Sequence, residues 1–312
     1  MKQFISRNAL ILGMAAVCIA LAMLTPSFAS PDNLTNVARR ISAVSIVAVG
    51  ETLVIITAGI DLSVGSVAAL AACVSGIVIR EYGYSVPVGI FAGILAGLTC
   101  GLINGLLSTK GRIPSFIVTL GMMLAARGAA HLLTGGATIT GLPEAYRFLG
   151  GTRYWFVPFI VTLIVVAIFA VVLMYTRYGR EIYATGGNLS GARLSGIPVD
   201  RVRIVAFTLG GMLAGFGGVV MASRAGVATP TMAEGMELDA IAACVVGGAS
   251  LMGGEGGAVG ALIGALIIGT LVNICQLNGM SDEWQRIVVG VLIVVLVFFD
   301  NMRKRRAGKL KE

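Results

Sequence analysis

The sequence predicts an all-α fold, a polytopic membrane bundle of about ten transmembrane helices, some of them broken by glycine. Three observations predict it. Of its 312 residues 57% are hydrophobic and only 12% charged, with a mean hydropathy of +0.92, whereas soluble domains carry about 25% charged residues. Apolar runs at 8–31, 62–79, 82–109, 154–176, 204–223 and 256–281 each reach the roughly 18 residues that mark a membrane helix. These runs are continuous rather than alternating, which favours helices over a barrel.

The helices are expected at about 8–25, 41–58, 64–80, 86–108, 114–133, 154–175, 203–224, 237–252, 258–277 and 284–300. The first has a basic start and a small-x-small ending at Ser27, Phe28 and Ala29. That pattern also fits a cleaved signal peptide, but the many spans that follow favour a retained helix. The last has a short uncharged core and needs Trp284 and Gln285 at the interface. Lys2, Arg7 and the basic tail 301–312 put both termini in the cytoplasm by the positive-inside rule. An even number of spans follows. Ten place Lys110, Arg112 and the insert 176–203 inside, and the acidic stretch 234–239 outside. Arg39 and Arg40 break the pattern, through either an interfacial helix start or a misplaced boundary. Eight spans with re-entrant segments are the alternative. The whole chain, 1–312, reads as a single transmembrane domain.

Composition also excludes functions. The net charge of +8 resides in short segments between apolar runs, so it enforces topology and does not point to nucleic acid. Cys18, Cys73, Cys100, Cys244 and Cys275 all lie in apolar segments without a CxxC pair, as small hydrophobes do. His131 is the one histidine, which excludes a histidine-based metal or catalytic cluster in this chain. There is no GxxxxGK[ST], GxSxG or HExxH motif. No catalytic residue, metal site or cofactor is expected.

The 43 glycines form two patterns. Gly89, Gly93, Gly97, Gly101 and Gly105 recur every fourth residue, one stripe on one helix, where small residues allow close helix approach. Packing within the chain and a subunit interface both use that device. Gly211/Gly215 and Gly260/Gly264 repeat it. Separately, "GIDLSVG" (59–65) and "GASLMGG" (248–254) share a frame, each after an apolar segment and before a small-residue helix. This hints at two related halves, and glycine-interrupted helices at matching places point to a translocation path.

Ionisable groups inside spans are few: Glu51, Asp61 and Arg127. An intramembrane charge is a functional hypothesis by default. Asp61 alternatively caps the next helix with Ser63 nearby, and Arg127 alternatively snorkels. Among neutral groups, Thr57, Asn104, Ser115 and Thr119 either line the path of a neutral solute or bond a neighbouring helix backbone.

The insert 176–203 carries five arginines between two uncharged spans. Gly186 and Gly187 break the chain, Asn188 caps a short helix over 189–194, and Gly196 ends it before Pro198. Leu189, Ala192, Leu194 and Ile197 are its apolar knobs, suited to a groove on a soluble partner. A plain connecting loop is the alternative.

Three stretches, "AVGETLVIITAGIDLSVGSVAAL", "TRYGREIYATGGNLSGARLSGI" and "ELDAIAACVVGGASLMGGEGGAVGALIGALIIG", resemble the ribose/xylose/galactose-type ABC transporter permeases, a group related to the branched-chain amino-acid permeases. The resemblance runs from about residue 35 to 300. It implies a permease subunit without a catalytic site of its own, in the bacterial inner membrane, paired with a second permease copy or a paralogue. A cytoplasmic ABC ATPase would bind ATP and Mg, and a periplasmic sugar-binding protein would dock on the outer loops near 134–153 and 224–239. The family's coupling helix maps onto Gly187, Asn188, Leu189, Ala192, Arg193, Leu194 and Gly196. The substrate implied is a monosaccharide such as ribose. The rival readings are a branched-chain amino acid or an autoinducer sugar as cargo, an ion-coupled secondary transporter, and a membrane scaffold without transport.

Overall fold

The computed structural model describes residues 27–151 and 154–306, with Ala16, Ile19, Ala20, Met23 and Thr25 ahead of them. The predicted span at 8–25, Cys18 and the tail beyond 306 lie largely outside the described residues. Among the described residues from 27 onward, twelve helices follow in order: α1 Pro31–Ile56, α2 Val64–Arg80, α3 Val86–Thr109, α4 Ser115–Thr134, α5 Glu144–Arg147, α6 Val157–Tyr175, α7 Arg177–Gly187, α8 Leu189–Leu194, α9 Val199–Ala225, α10 Met236–Val246, α11 Ala258–Leu277 and α12 Asp282–Arg306. No strand occurs among the described residues; Ile139 and Ala228 form one antiparallel bridge.

Five of these, α3, α4, α6, α9 and α11, are long and apolar enough to cross a membrane. Most predicted boundaries fall within a few residues. Two do not. α1 begins ten residues before the predicted 41, because Ser30 caps it by accepting a hydrogen bond from the Asn33 N–H at 3.3 Å and Pro31 fills its first turn. Arg39 and Arg40 therefore lie within a helix, not before one. α10 stops at Val246, short of the predicted 252, where Gly248 turns left-handed at φ +93°. At 1.5 Å per residue its 11 residues span about 16 Å, half of a hydrocarbon core of about 30 Å.

α1, α2, α3 and α9 make the centre. From Ile41 to Ile56, α1 is buried almost throughout, the signature of a helix enclosed on all sides. α4 and α6 form the rim, with Leu124, Leu132, Ile168 and Met174 exposed, and α12 presents Ile287, Val291, Val294 and Phe298 outward. A belt of this size is what a bilayer covers. Thus the chain is a multi-pass membrane protein.

The glycine stripe on α3 is used within the chain. A Cβ on Gly97 would stand 2.7 Å from the Gly215 Cα, one on Gly101 2.9 Å from the Gly211 Cα, and one on Gly105 2.9 Å from the Ile204 Cα, all on α9. Gly93 meets the Ala71 carbonyl and Val219, and Gly89 meets Ile79 and the Ser75 carbonyl. Of the two uses left open by the spacing, all five positions serve internal packing. Cys73, Cys100, Cys244 and Cys275 are buried and free.

Candidate functional site

Glu51 is completely buried near the end of α1. After Ile56 the chain turns through Ala58, a non-glycine residue at φ +59°, and folds back along the helix. This brings the Asp61 N–H to Glu51 Oε1 at 3.2 Å. Asp61 Oδ1 accepts from the Ser63 N–H at 2.8 Å and the Ser63 hydroxyl at 2.5 Å. Asp61, more than Ser63, thereby organises the start of α2, where Ser63 makes no side-chain cap. Asn104, from α3, donates Nδ2 to Ser63 Oγ at 3.0 Å and to Asp61 Oδ2 at 3.4 Å. From α4, Ser115 Oγ accepts from the Ile60 N–H at 3.4 Å, and the Thr119 hydroxyl donates to the Ile60 carbonyl at 3.1 Å.

Six of the eight predicted path residues are therefore brought together: Glu51, Asp61, Ser63, Asn104, Ser115 and Thr119. Thr57 is apart from them, its hydroxyl returned to the Val54 carbonyl at 2.7 Å. Arg127 is also elsewhere. It donates to the Pro230 and Met232 carbonyls at 2.5 and 2.8 Å, fastening the loop between α9 and α10. Two acceptors of the cluster, Glu51 Oε2 and Asn104 Oδ1, are buried with no partner among the described residues. Unpartnered buried oxygens are costly. The chemistry on offer is hydrogen bonding to hydroxyls. No group of three or more His, Cys, Asp or Glu among the described residues is placed to hold a metal.

Sequence reasoning missed Glu237. Its carboxyl reaches across to Gly65 in the first turn of α2, where a side chain would collide with it, and its Oε2 is a further buried oxygen without a partner. Reading 234–239 only for its charge and its side of the membrane hid it. The signal was the glycine at position 65, in a helix turn where glycine is otherwise disfavoured.

The insert is two helices, not one. Thr176 caps α7 by accepting the Gly179 N–H at 3.1 Å, and Arg177 pairs with Glu181 at 2.7 Å, one turn on. Asn188 Oδ1 then accepts the Gly191 N–H at 2.8 Å to cap α8, and Gly196 closes it at φ +77°. The knobs divide. Leu194 is 90% exposed and Leu189 41%, with Arg193 also outside, whereas Ala192 is 5% exposed and packs inward. Ala192 is thus no part of the outward tip, correcting its expected role as a knob.

The insert rests on the end of α1 and on the second glycine loop. Gly186 lies directly on the Ile56 carbonyl at the end of α1, with the Gly254 nitrogen 2.6 Å from where its Cβ would be. The Gly254 N–H donates to that same Ile56 carbonyl at 2.8 Å. The Tyr183 hydroxyl donates to the Gly256 carbonyl at 2.7 Å. Three backbone segments meet here with no room for a side chain at 186. The second glycine loop thus meets the chain at Ile56 and Ala58, just ahead of the first, and the two loops differ in conformation: Gly248, Gly253 and Gly254 are left-handed, while Gly59 and Gly65 are not.

The family of branched-chain amino acid transport system / permease components matches residues 33–297. The chain belongs to this family. Its relatives include the ribose import permease protein RbsC of Bacillus subtilis (strain 168), 44% identical over 95% of this chain and 92% of the relative. RbsC of Escherichia coli (strain K12) is 39% identical over 97% and 96%. The autoinducer 2 import system permease protein LsrC of Escherichia coli (strain K12 / DH10B) is 38% identical over 97% and 90%. No solved structure matches. The resemblance drawn from the three motifs, to sugar-type members of this permease group, is borne out by these relatives.

Proposed function

We propose that this permease imports a monosaccharide, a pentose such as ribose, as the membrane subunit of an ATP-binding-cassette importer in a bacterial inner membrane. The relatives named for ribose import, at 39–44% identity over nearly the whole chain, support the cargo. The observation that carries the mechanism is the seat of the insert on Ile56 and Gly254. A cytoplasmic ATPase that binds ATP and Mg would press on Leu194 and Leu189, and the load would pass from Gly186 to the end of α1. That end leads within one and a half turns to Glu51 and the cluster around Asp61. The cluster's spare acceptors suit sugar hydroxyls, each of which donates one hydrogen bond.

In this reading there are ten crossings counting the segment at 8–25, with α10 and its following loop sharing one, and both termini are cytoplasmic. α1 with α2, and α10 with α11, are helices broken around glycine loops. A periplasmic sugar-binding protein docks on the loops between α4 and α6 and between α9 and α10. Ile139 and Ala228 exchange backbone hydrogen bonds at 2.8 and 3.0 Å, which joins those loops into one platform. A second permease copy or a paralogue completes the pore. This chain has no catalytic role of its own.

The test is uptake of radiolabelled pentoses and hexoses into proteoliposomes, with the ATPase and binding protein present, or each omitted. Uptake that requires all three components is the expected result. Uptake by this chain alone, driven by an ion gradient, would overturn the proposal in favour of a secondary transporter.

A further inference from the structure

At the end of the bundle remote from the insert, a cavity of about 420 Å³ opens between α1, α9 and α11. Its distance from the insert follows from α1: Arg40 precedes Ile56 by 16 residues, about 24 Å at 1.5 Å per residue. Arg40 and Arg224 line the cavity, with the amides of Asn36 and Gln276 and the apolar Val37 and Leu277. Its floor is rigid, because Asn33 and Asn273 exchange two amide hydrogen bonds, at 3.0 and 2.7 Å. One nitrogen of Arg40 is oriented by Gln276 Oε1 at 2.7 Å, which leaves the rest of its fork for something else.

The charge here is unbalanced. Arg39 and Arg40 both lie close enough to Arg224 to repel it. Among the described residues none of the three forms an ion pair, and Asp239, which bears on Arg40 from the start of α10, does not close one. Arg39 Nε is buried without an acceptor. Gathering three guanidiniums with no carboxylate paired to any of them costs stability, and a pocket that also holds amide donors is shaped for an anion with several oxygens.

We propose that this cavity binds a phosphate group, held in the forks of Arg40 and Arg224 and by the Asn36 amide. Arginine's planar fork suits phosphate oxygens pairwise. A phospholipid headgroup is the source nearest to hand. The site is at the level where α9 and α11 end, which in the proposed topology is the headgroup level of the outer leaflet. Sugar transport is not assumed in this assignment.

Native mass spectrometry of the detergent-purified chain tests it, with phosphatidylglycerol as probe and phosphatidylcholine and inorganic phosphate as the other arms. The expected result is that the wild type retains phosphatidylglycerol with about tenfold or more higher affinity than Arg40→Gln/Arg224→Gln, a loss in line with removing two charge-assisted contacts. Occupancy by inorganic phosphate alone, lost in the same variant, supports the phosphate site and assigns it to the free ion. Equal lipid retention by wild type and variant, with no phosphate bound by either, overturns the proposal. So does a variant that retains lipid normally but loses binding-protein-dependent uptake, since the pocket then serves a protein. If the glutamine variant fails to fold, Arg40→Lys/Arg224→Lys keeps the charge and removes the fork. A drop in retention there supports the assignment, and unchanged retention sinks it.

Discussion

At the residue scale, the cluster around Asp61 is defined by which atoms donate and which accept. Asn104 Nδ2 has two acceptors, Ser63 Oγ and Asp61 Oδ2. Asp61→Asn turns one of them into a possible second donor and sets amide hydrogen against amide hydrogen. A buried group deprived of its partner costs about 1–3 kcal/mol. The thermal midpoint of the purified variant is expected to fall, with reduced uptake. Adding Asn104→Asp restores an acceptor opposite a donor. Recovery of both readouts in the double variant is the expected outcome; a double variant that is merely additive would show the two side chains to be independent. Much of this cluster was legible in the sequence, because a carboxylate or amide inside an apolar run is conspicuous. Which of the polar residues meet was not. Thr57 and Thr119 look alike in sequence, yet one bonds back to its own helix and the other reaches Ile60 from a different helix.

The insert shows what an element adds. Gly186 and Gly187 are adjacent, and the sequence reads them together as one break. Their surroundings differ completely: Gly186 is pressed on the Ile56 carbonyl, whereas nothing lies within 4 Å of a Cβ on Gly187. Gly186→Ala is expected to abolish coupled uptake or to expel the insert from its seat, because backbone cannot give way as a side chain tip does. Gly187→Ala is expected to be tolerated, with uptake near that of the wild type. Equal behaviour of the two would remove the case for a specific seat. The exposed tip makes a second pair. Leu194→Glu should leave the thermal midpoint unchanged while weakening association with the ATPase in a pull-down, since Leu194 touches little of its own chain. Ala192→Asp should lower the midpoint itself, because it places a charge in a buried position. The short helix 189–194 was readable to the residue from Asn188 and Gly196. The helix before it was not, since Gly179 and the pair Gly186–Gly187 disguise a run that Thr176 caps and tertiary contact with α6 and α9 holds.

Over the whole molecule, the helix pattern was largely visible in hydropathy because bilayer-facing and enclosed helices are both apolar. Hydropathy says less about where a helix begins outside the membrane, so the first ten residues of α1 were lost to a loop, and less about half-crossings, so α10 was drawn too long. The orientation proposed here is open to direct measurement. Ser195 and Thr140 are both exposed, the first at the end of α8 and the second in the loop after α4. Single cysteines at these positions, treated with a membrane-impermeant maleimide on sealed cells and on inverted vesicles, are expected to label from opposite sides, position 195 only in the inverted vesicles. Labelling of both from one side would refute the topology. The described native cysteines are buried and should contribute little background.

The seam between α3 and α9 has a mechanical consequence. Where Gly97, Gly101, Gly211 and Gly215 face one another, two backbones touch with no side chains between them to change rotamer. Neither helix can slide or roll past its neighbour by small repacking steps. α3 and α9 then form a single strut, and Asn104 and the first turn of α9 are expected to keep their separation while other parts move. Any change of access must be accomplished by parts that hinge against the strut, and the chain breaks on either side of Ile60 and Gly254 are where those hinges are available.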